Sequence, residues 1–235
     1  MNISSRQISI IIPIYNEVEN IFLLLEEIKK YLDKKIQYEI LIVNDNSQDN
    51  FLAECNKLEL SKNINIINNI SNLGQSKSIQ KGIMNSKYDN IVTMDGDGQN
   101  HPKDILSLAD EYFQNNYVLV SGIRKKRKDS FIKKISSKIA NNFRSLILKD
   151  NCPDTGCGLK IFNKIIFLKI PFFNGIHRFI PALFLSLNQK ILYKSVDHRH
   201  RIRGISKYGT LDRMFKGLID IVRVLLIIRK IKRNG

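Results

Sequence analysis

The 235-residue sequence contains only three cysteines, Cys55, Cys152 and Cys157, too few and too odd in number for a disulfide-stapled scaffold. No signal-peptide pattern opens it, since Arg6 and Gln7 precede only a short apolar run. The two features together predict a reducing, cytoplasmic location. No stretch approaches the ~20 apolar residues of a membrane-spanning helix. The best candidate, Leu218 to Ile228, is short and holds Asp220 and Arg223. Repeats and low-complexity tracts are also missing. Acid is scarce: 22 Asp and Glu stand against 38 Lys and Arg, a formal charge of +16. A surplus that large draws nucleic acid, anionic lipid or phosphorylated substrates. A nucleic-acid-binding domain would need a recognition motif as well, and no aromatic-glycine RNA-binding signature, zinc-finger spacing or reading helix accompanies the charge. No nucleic-acid partner is therefore expected.

What is present is the make-up of one folded domain, 43% hydrophobic and 26% charged. Nearly continuous Ile- and Val-rich runs predict strands buried on both faces at Ile8 to Ile14, Glu39 to Asn44, Ile64 to Asn68, Ile91 to Met94 and Val118 to Gly122. Helical periodicity fills the gaps, near Val18 to Leu32, Phe51 to Leu60, Ser76 to Asn85 and Pro102 to Gln114. The alternation predicts an α/β fold with a doubly wound, mainly parallel sheet and helices on both faces. A basic stretch from Arg124 to Lys128 and a helical pattern from Ile132 to Leu148 follow. A turn-rich segment, Asp154 to Gly158, then leads into another strand-like run, and a helix is expected near His177. Residues 1–210 are thus expected to form one domain, with a change of character after 123 that divides it into 1–123 and 124–210. Residues 211–235 read as a basic amphipathic helix suited to an anionic membrane surface.

In such sheets ligands sit beyond the carboxyl ends of the strands, where the polar clusters fall: Tyr15-Asn16-Glu17, Asp45-Asn46-Ser47 and Asp95 through Gln99. Two carboxylates separated by one glycine, Asp95-Gly96-Asp97, suit a hard cation that shares its remaining positions with phosphate oxygens. An acidic turn capping the next helix is the plainer alternative, and a lone Asp-x-Asp does not decide between them. The loop from His198 to Gly209 is dense in Arg and Lys. Planar Arg forks match phosphate oxygens, Lys adds a point charge, and Gly204 and Gly209 allow hinging. A solvated surface loop is the alternative there. For Asp45 and Ser47 a helix cap competes with ligand binding, and for Asp154 a turn-forming role does.

Taken in order, Pro13-Ile14-Tyr15-Asn16-Glu17, Asp45-Asn46-Ser47, Asp95-Gly96-Asp97-Gly98-Gln99, Gly122-Ile123-Arg124, the segments Lys134 to Ala140 and Asp154 to Lys160, and Arg201 to Gly209 form an ordered set. It resembles the family-2 inverting glycosyltransferases, in the branch that includes dolichyl- and polyprenyl-phosphate sugar synthases, over residues 8 to about 210. The resemblance implies a GT-A fold, a nucleotide-diphosphate sugar as donor, Mg2+ or Mn2+ as cofactor and a polyprenyl phosphate as acceptor. It also makes 1–123 the donor half and 124–210 the acceptor half of a catalytic domain, and it implies residue roles. Pro13, Tyr15 and Glu17 border the nucleobase and ribose, and Asp45 binds the base or ribose edge. Asp95, Asp97 and Gln99 surround the metal and diphosphate. Arg124, Lys134 and Ser137 meet the acceptor phosphate. Arg201, Arg203, Ser206 and Lys207 lie in a loop that closes over the phosphates.

Asp97, Arg124, Asp154, Arg203 and Lys207 are accordingly the candidate catalytic residues. Asp154 is the reserve base, needed only if the acceptor is a sugar hydroxyl. Relatives in this branch often carry carboxy-terminal transmembrane helices. Their lack here leads to an expectation of peripheral attachment to the cytoplasmic face of a membrane, with a membrane-spanning partner as a further option. Zinc is disfavoured, since the step between Cys152 and Cys157 is wide and His177 leaves the set without a fourth ligand. A sugar-nucleotide pyrophosphorylase would need a Gly-rich, Arg-containing loop where Tyr15-Asn16-Glu17 stands.

Overall fold

The computed structural model describes residues 6–57, 61–125, 144–200 and 210–234, with the backbone alone at 210–216, 218 and 234. The elements run β1 (Gln7–Ile14), α1 (Val18–Leu32), β2 (Gln37–Asn44), α2 (Phe51–Lys57), β3 (Ile64–Asn68), α3 (Gln75–Met84), β4 (Asn90–Thr93), α4 (Lys103–Gln114) and β5 (Leu119–Arg124). Residues 144–148 are helical. There follow β6 (Lys160–Asn163), α5 (Lys164–Leu168), a 3-10 turn (Ile176–Arg178), α6 (Ile180–Ser186), β7 (Ile191–Val196) and α7 (Thr210–Asn234).

The strands form one seven-stranded sheet in the order β3-β2-β1-β4-β6-β5-β7. Four neighbours, β3, β2, β1 and β4, are parallel. β6 runs antiparallel between β4 and β5, and β7 joins β5 in parallel. The chain winds outward through β1, β2 and β3, then crosses back to place β4 on the other side of β1. That reversal opens a crevice at the carboxyl ends of β1 and β4.

Alternate residues of each strand feed separate cores. Ile8, Ile10, Ile12 and Ile14 of β1 pack with Ile40 and Ile42 of β2 under α1 and α4. Ile11, Leu41 and Val43 face Ile79 and Ile83 of α3, together with α6 and the Ile221 and Val224 side of α7. Burial on both faces is why these strands lack polar alternation.

The helix expected near His177 is instead the 3-10 turn, with the α-helix starting at Ile180. Strand β7 was not anticipated. Its residues are mostly half-buried, and the sequence ILYKSV mixes apolar and polar groups as an edge strand does. No helix among the described residues is long and apolar enough to cross a membrane.

Candidate active site

The loops after β1 and β2 are stitched together at the rim of the crevice. Asn16 Oδ1 accepts from Gln48 N at 2.7 Å, and Asn16 N donates to Ser47 Oγ at 3.0 Å. Asp49 Oδ2 accepts from Val18 N at 3.0 Å, so a residue of the second loop caps the helix that begins in the first. Glu17 Oε2 accepts from Asn20 Nδ2 at 2.8 Å. Pro13, Tyr15 and Glu17 are all half-buried at this edge.

Asp45 is buried and organises the loop that follows β3. Its Oδ1 accepts from Asn69 Nδ2 at 2.7 Å and Leu73 N at 2.8 Å, and its Oδ2 accepts from Gly74 N at 2.8 Å. These bonds fold Leu73 and Gly74 into the turn that starts α3. Gly74 has φ +84°, a conformation that glycine adopts without steric cost.

The first side chain of that helix crosses to the end of β4. Gln75 Nε2 donates to Asp95 Oδ1 at 2.8 Å. Behind Asp95 lies Gly158, and a Cβ on Gly158 would sit 2.6 Å from Asp95 Oδ1. Only a glycine lets the backbone approach the carboxylate this closely. Burial, followed by the nearby Asp97 carboxylate, pushes the Asp95 carboxyl above its ordinary range, against the pull of Lys160, Arg124 and Gln75. Asp97 Oδ1 accepts from Gln99 N at 3.1 Å, which fixes the turn.

Among the described residues no group of three or more His, Cys, Asp and Glu is placed to hold a metal. Two mutually repelling carboxylates are nevertheless an all-oxygen donor pair. Such a pair fits a hard dication whose remaining positions go to phosphate and water.

Gln99 does more than end this turn. Its Nε2 donates to Arg199 O at 3.3 Å, and Arg199 N donates to Gln99 O at 2.9 Å. Arg199 in turn grips both oxygens of Glu27 at 2.7 Å and donates from Nε to Gly98 O at 3.1 Å. The chain is therefore tied to the acidic turn at the start of the basic loop. Arg201, Arg203, Ser206 and Lys207 of that loop lie outside the described residues, as do Lys134 and Ser137.

Across the crevice Arg124 holds Asp154 with two parallel bonds, Nε to Oδ2 at 2.7 Å and Nη2 to Oδ1 at 2.6 Å, while Arg124 N donates to Oδ2 at 3.1 Å. Both carboxylate oxygens thus face a fixed cation, an arrangement suited to architecture more than to proton removal. Lys160, buried on β6, donates to Cys157 O and exerts its charge on Asp95. Cys157 is buried and its thiol is pushed up to about 11, which keeps it protonated. His177 Nδ1 pairs with Ser76 Oγ at 2.7 Å, and Ser76 Oγ also accepts from Gly175 N at 2.8 Å. Burial, helped by Arg178 and Lys160, lowers His177 to about 3, so the imidazole is neutral at physiological pH.

Gln75, Lys160 and Arg199 were not singled out from sequence. Lys160 sits inside the Asp154 to Lys160 segment and Arg199 inside the basic loop, His198 to Gly209. Gln75 carries no signal beyond following a glycine.

The chain is similar to known proteins in sequence and in fold. The chain is 33% identical to dodecaprenyl-phosphate galacturonate synthase of Rhizobium johnstonii, over 99% of this chain and 70% of that protein. It is 30% identical to undecaprenyl-phosphate 4-deoxy-4-formamido-L-arabinose transferase of Aeromonas hydrophila, over 89% of this chain and 65% of that protein. The chain thus spans about two thirds of the length of these relatives. Among solved structures, glucosyl-3-phosphoglycerate synthase from Mycobacterium tuberculosis, in complex with Mn2+, uridine-diphosphate-glucose and glycerol 3-phosphate, matches with a TM-score of 0.69 over 96% of this chain and 80% of that one. The same enzyme with Mg2+ and uridine diphosphate gives 0.68 over 97% and 83%. Identity in both is 15%, so they share the fold, GT-A, and speak to nothing finer. A polar rim at the switch point and an acidic turn at the end of β4 accompany a family model matched over residues 9–172: the chain belongs to glycosyl transferase family 2.

Proposed function

We propose that this glycosyltransferase moves a sugar from a nucleotide-diphosphate sugar to a polyprenyl phosphate, by a single inverting displacement assisted by Mg2+ or Mn2+. The observation that carries the reading is the Asp95 and Asp97 pair at the carboxyl end of β4, inside the crevice where the sheet reverses. Those two carboxylates would hold the cation. Bound there, it would supply positive charge to the departing diphosphate.

The remaining roles belong to the chain. Pro13, Tyr15 and Glu17 line the base and ribose side, and Asp45 acts there through the turn it folds. Gln99 anchors the approach to the basic loop, where Arg201, Arg203, Ser206 and Lys207 would add donors to the phosphates. Arg124, with Lys134 and Ser137, forms the acceptor side. A lipid phosphate oxygen is already anionic at neutral pH, so the displacement needs positioning more than a general base. That suits a site in which Asp154 is committed to Arg124.

Attachment to an anionic membrane is assigned to α7. Ile219, Val222 and Leu226 recur at helical spacing and are 62%, 58% and 59% exposed. Arg223, Arg229, Lys230 and Arg233 lie on the same exposed side, opposite Ile221 and Val224 in the core.

The test is incubation with labelled nucleotide sugars, Mn2+ and polyprenyl phosphate. Label recovered on the lipid is expected, and label only on a saccharide hydroxyl overturns the acceptor. Flotation with vesicles containing phosphatidylglycerol should fall when Val222→Asp and Leu226→Asp are combined. Unchanged flotation overturns the role of α7, and flotation of wild type only with a membrane-spanning partner assigns attachment to that partner.

A further inference from the structure

A metal-binding carboxylate works only if its lone pairs are aimed, and an isolated aspartate on a glycine-rich turn rotates freely. Asp95 does not. Gln75 Nε2 donates to Oδ1 at 2.8 Å, and the Gly158 backbone approaches so closely that a Cβ there would meet the carboxylate. The origin of the Gln75 side chain is itself pinned on both sides. Before it, Leu73 N and Gly74 N are held by Asp45. After it, Ser76 Oγ accepts from Gly175 N at 2.8 Å and pairs with His177 Nδ1 at 2.7 Å. Two separate segments, the end of β2 and the turn before α6, therefore fix where the Gln75 amide can reach.

We propose that Gln75 is a positioning residue for the cation site, fixing the Asp95 carboxylate through a neutral donor. The choice of an amide has a physical consequence. An arginine would orient the carboxylate equally well but would cancel its charge, as Arg124 does for Asp154. A neutral amide orients the carboxylate and leaves the negative charge available to a dication. Hydrogen-bond partners that orient a metal ligand typically change metal affinity by about 10- to 100-fold when removed. Gln75 lies on a different element from Asp95, so its contribution is separable from the folding of the acidic turn. This inference rests on the metal reading above.

The experiment is Mn2+ binding in the presence of uridine diphosphate, read from the electron paramagnetic resonance signal of free Mn2+. Wild type, Gln75→Leu, Gln75→Asn, Asp95→Asn and the Gln75→Leu/Asp95→Asn double variant are compared. Gln75→Leu is expected to bind Mn2+ about 10- to 100-fold more weakly, with its metal-free melting temperature little changed. Gln75→Asn, whose amide is one methylene short, should behave alike and decides the matter if the leucine variant does not fold. The double variant should bind no more weakly than Asp95→Asn alone, because the amide acts only through that carboxylate. Wild-type affinity in both Gln75 variants, with Asp95→Asn impaired, overturns the positioning role and leaves the metal reading intact. Independent, additive losses overturn it as well. Failure of wild type itself to bind Mn2+ removes the metal reading and this inference together.

Discussion

Three carboxylates at the rim of the crevice and three beyond β4 keep different company, while Glu27 on α1 pairs with Arg199. At the rim, Asp45 is held by an asparagine amide and two backbone N–H groups, Asp49 by the N–H groups of Val18 and Phe51, and Asp95 by a glutamine amide. Beyond β4, Asp154 is paired with Arg124, Asp150 with Arg144 and Asp220 with Arg178, at 2.6, 2.6 and 2.7 Å. Neutral donors orient a carboxylate and keep its charge, whereas guanidinium groups orient it and cancel that charge. Negative charge is thus preserved at Asp45, Asp49 and Asp95 along the rim of the crevice, and cancelled at Asp154, Asp150 and Asp220 where the chain folds back. The raised Asp95 carboxyl is the electrostatic mark of the first arrangement, since burial and then the neighbouring Asp97 charge both oppose its ionisation.

The sharpest way to break this contrast is to neutralise the preserved charges. Asp95→Asn and Asp97→Asn should each lower sugar transfer with saturating donor and Mn2+ by at least about 100-fold, the usual scale for removing a group that stabilises developing charge. They should leave thermal stability near that of wild type or raise it, because each removes one of two repelling charges. Turnover at the wild-type level in both variants would show that the acidic turn serves the fold alone.

The opposite pattern is expected across the crevice. The Arg124 and Asp154 side chains are only 15% and 5% exposed. Asp154→Ala would leave a buried guanidinium unpaired, costing about 3–5 kcal/mol in urea unfolding. Replacing both partners, Arg124→Met with Asp154→Leu, should recover most of that loss, since a well-packed apolar pair replaces a buried ion pair at little cost. A double variant as unstable as Asp154→Ala would mean that the pair does more than cancel charge.

Gly158→Ala probes the seam between the two sides. The new methyl would meet the Asp95 carboxylate, so either β6 or Asp95 must shift. A destabilisation of about 1–3 kcal/mol is expected, as for other small-to-large changes in tight packing. Mn2+ binding should weaken at the same time. Loss of stability without loss of Mn2+ binding would place the adjustment in β6.

Much of the donor side was legible in the sequence. The helix Val18–Leu32 and the strand Ile64–Asn68 have the bounds that periodicity predicts, because their patterns are governed by neighbours a few residues away. The acidic turn was legible for the same reason, its residues being adjacent. The antiparallel course of β6 was not, since four residues pairing with Asn90–Thr93 carry no mark of direction. Nor was the commitment of Asp154 to Arg124, 30 residues away, or of Gln75 to Asp95, 20 residues away. A side chain's role at such distances is set by how the sheet is threaded, and local pattern is silent on threading.

The smallest effect concerns His177, which lies beside Ser76 where the two sides meet. Burial, then Arg178 and Lys160, hold its imidazole at about 3 in the folded protein, against about 6.5 when unfolded. Between those values the unfolded chain binds a proton that the folded chain refuses, so stability falls as pH drops through 6.5 and goes on falling toward 3. Above 6.5 the imidazole contributes no slope. The ring is only half-buried, so solvent screening tempers the effect. Melting temperatures from pH 7 to pH 4.5 should therefore decline more for wild type than for His177→Asn. Carboxylates such as Glu27, held low by Arg199, titrate alike in both proteins, so the difference between the two curves isolates the imidazole. Superimposable curves would mean that His177 gains a proton in place, and that the boundary tolerates a third positive charge beside Arg178 and Lys160.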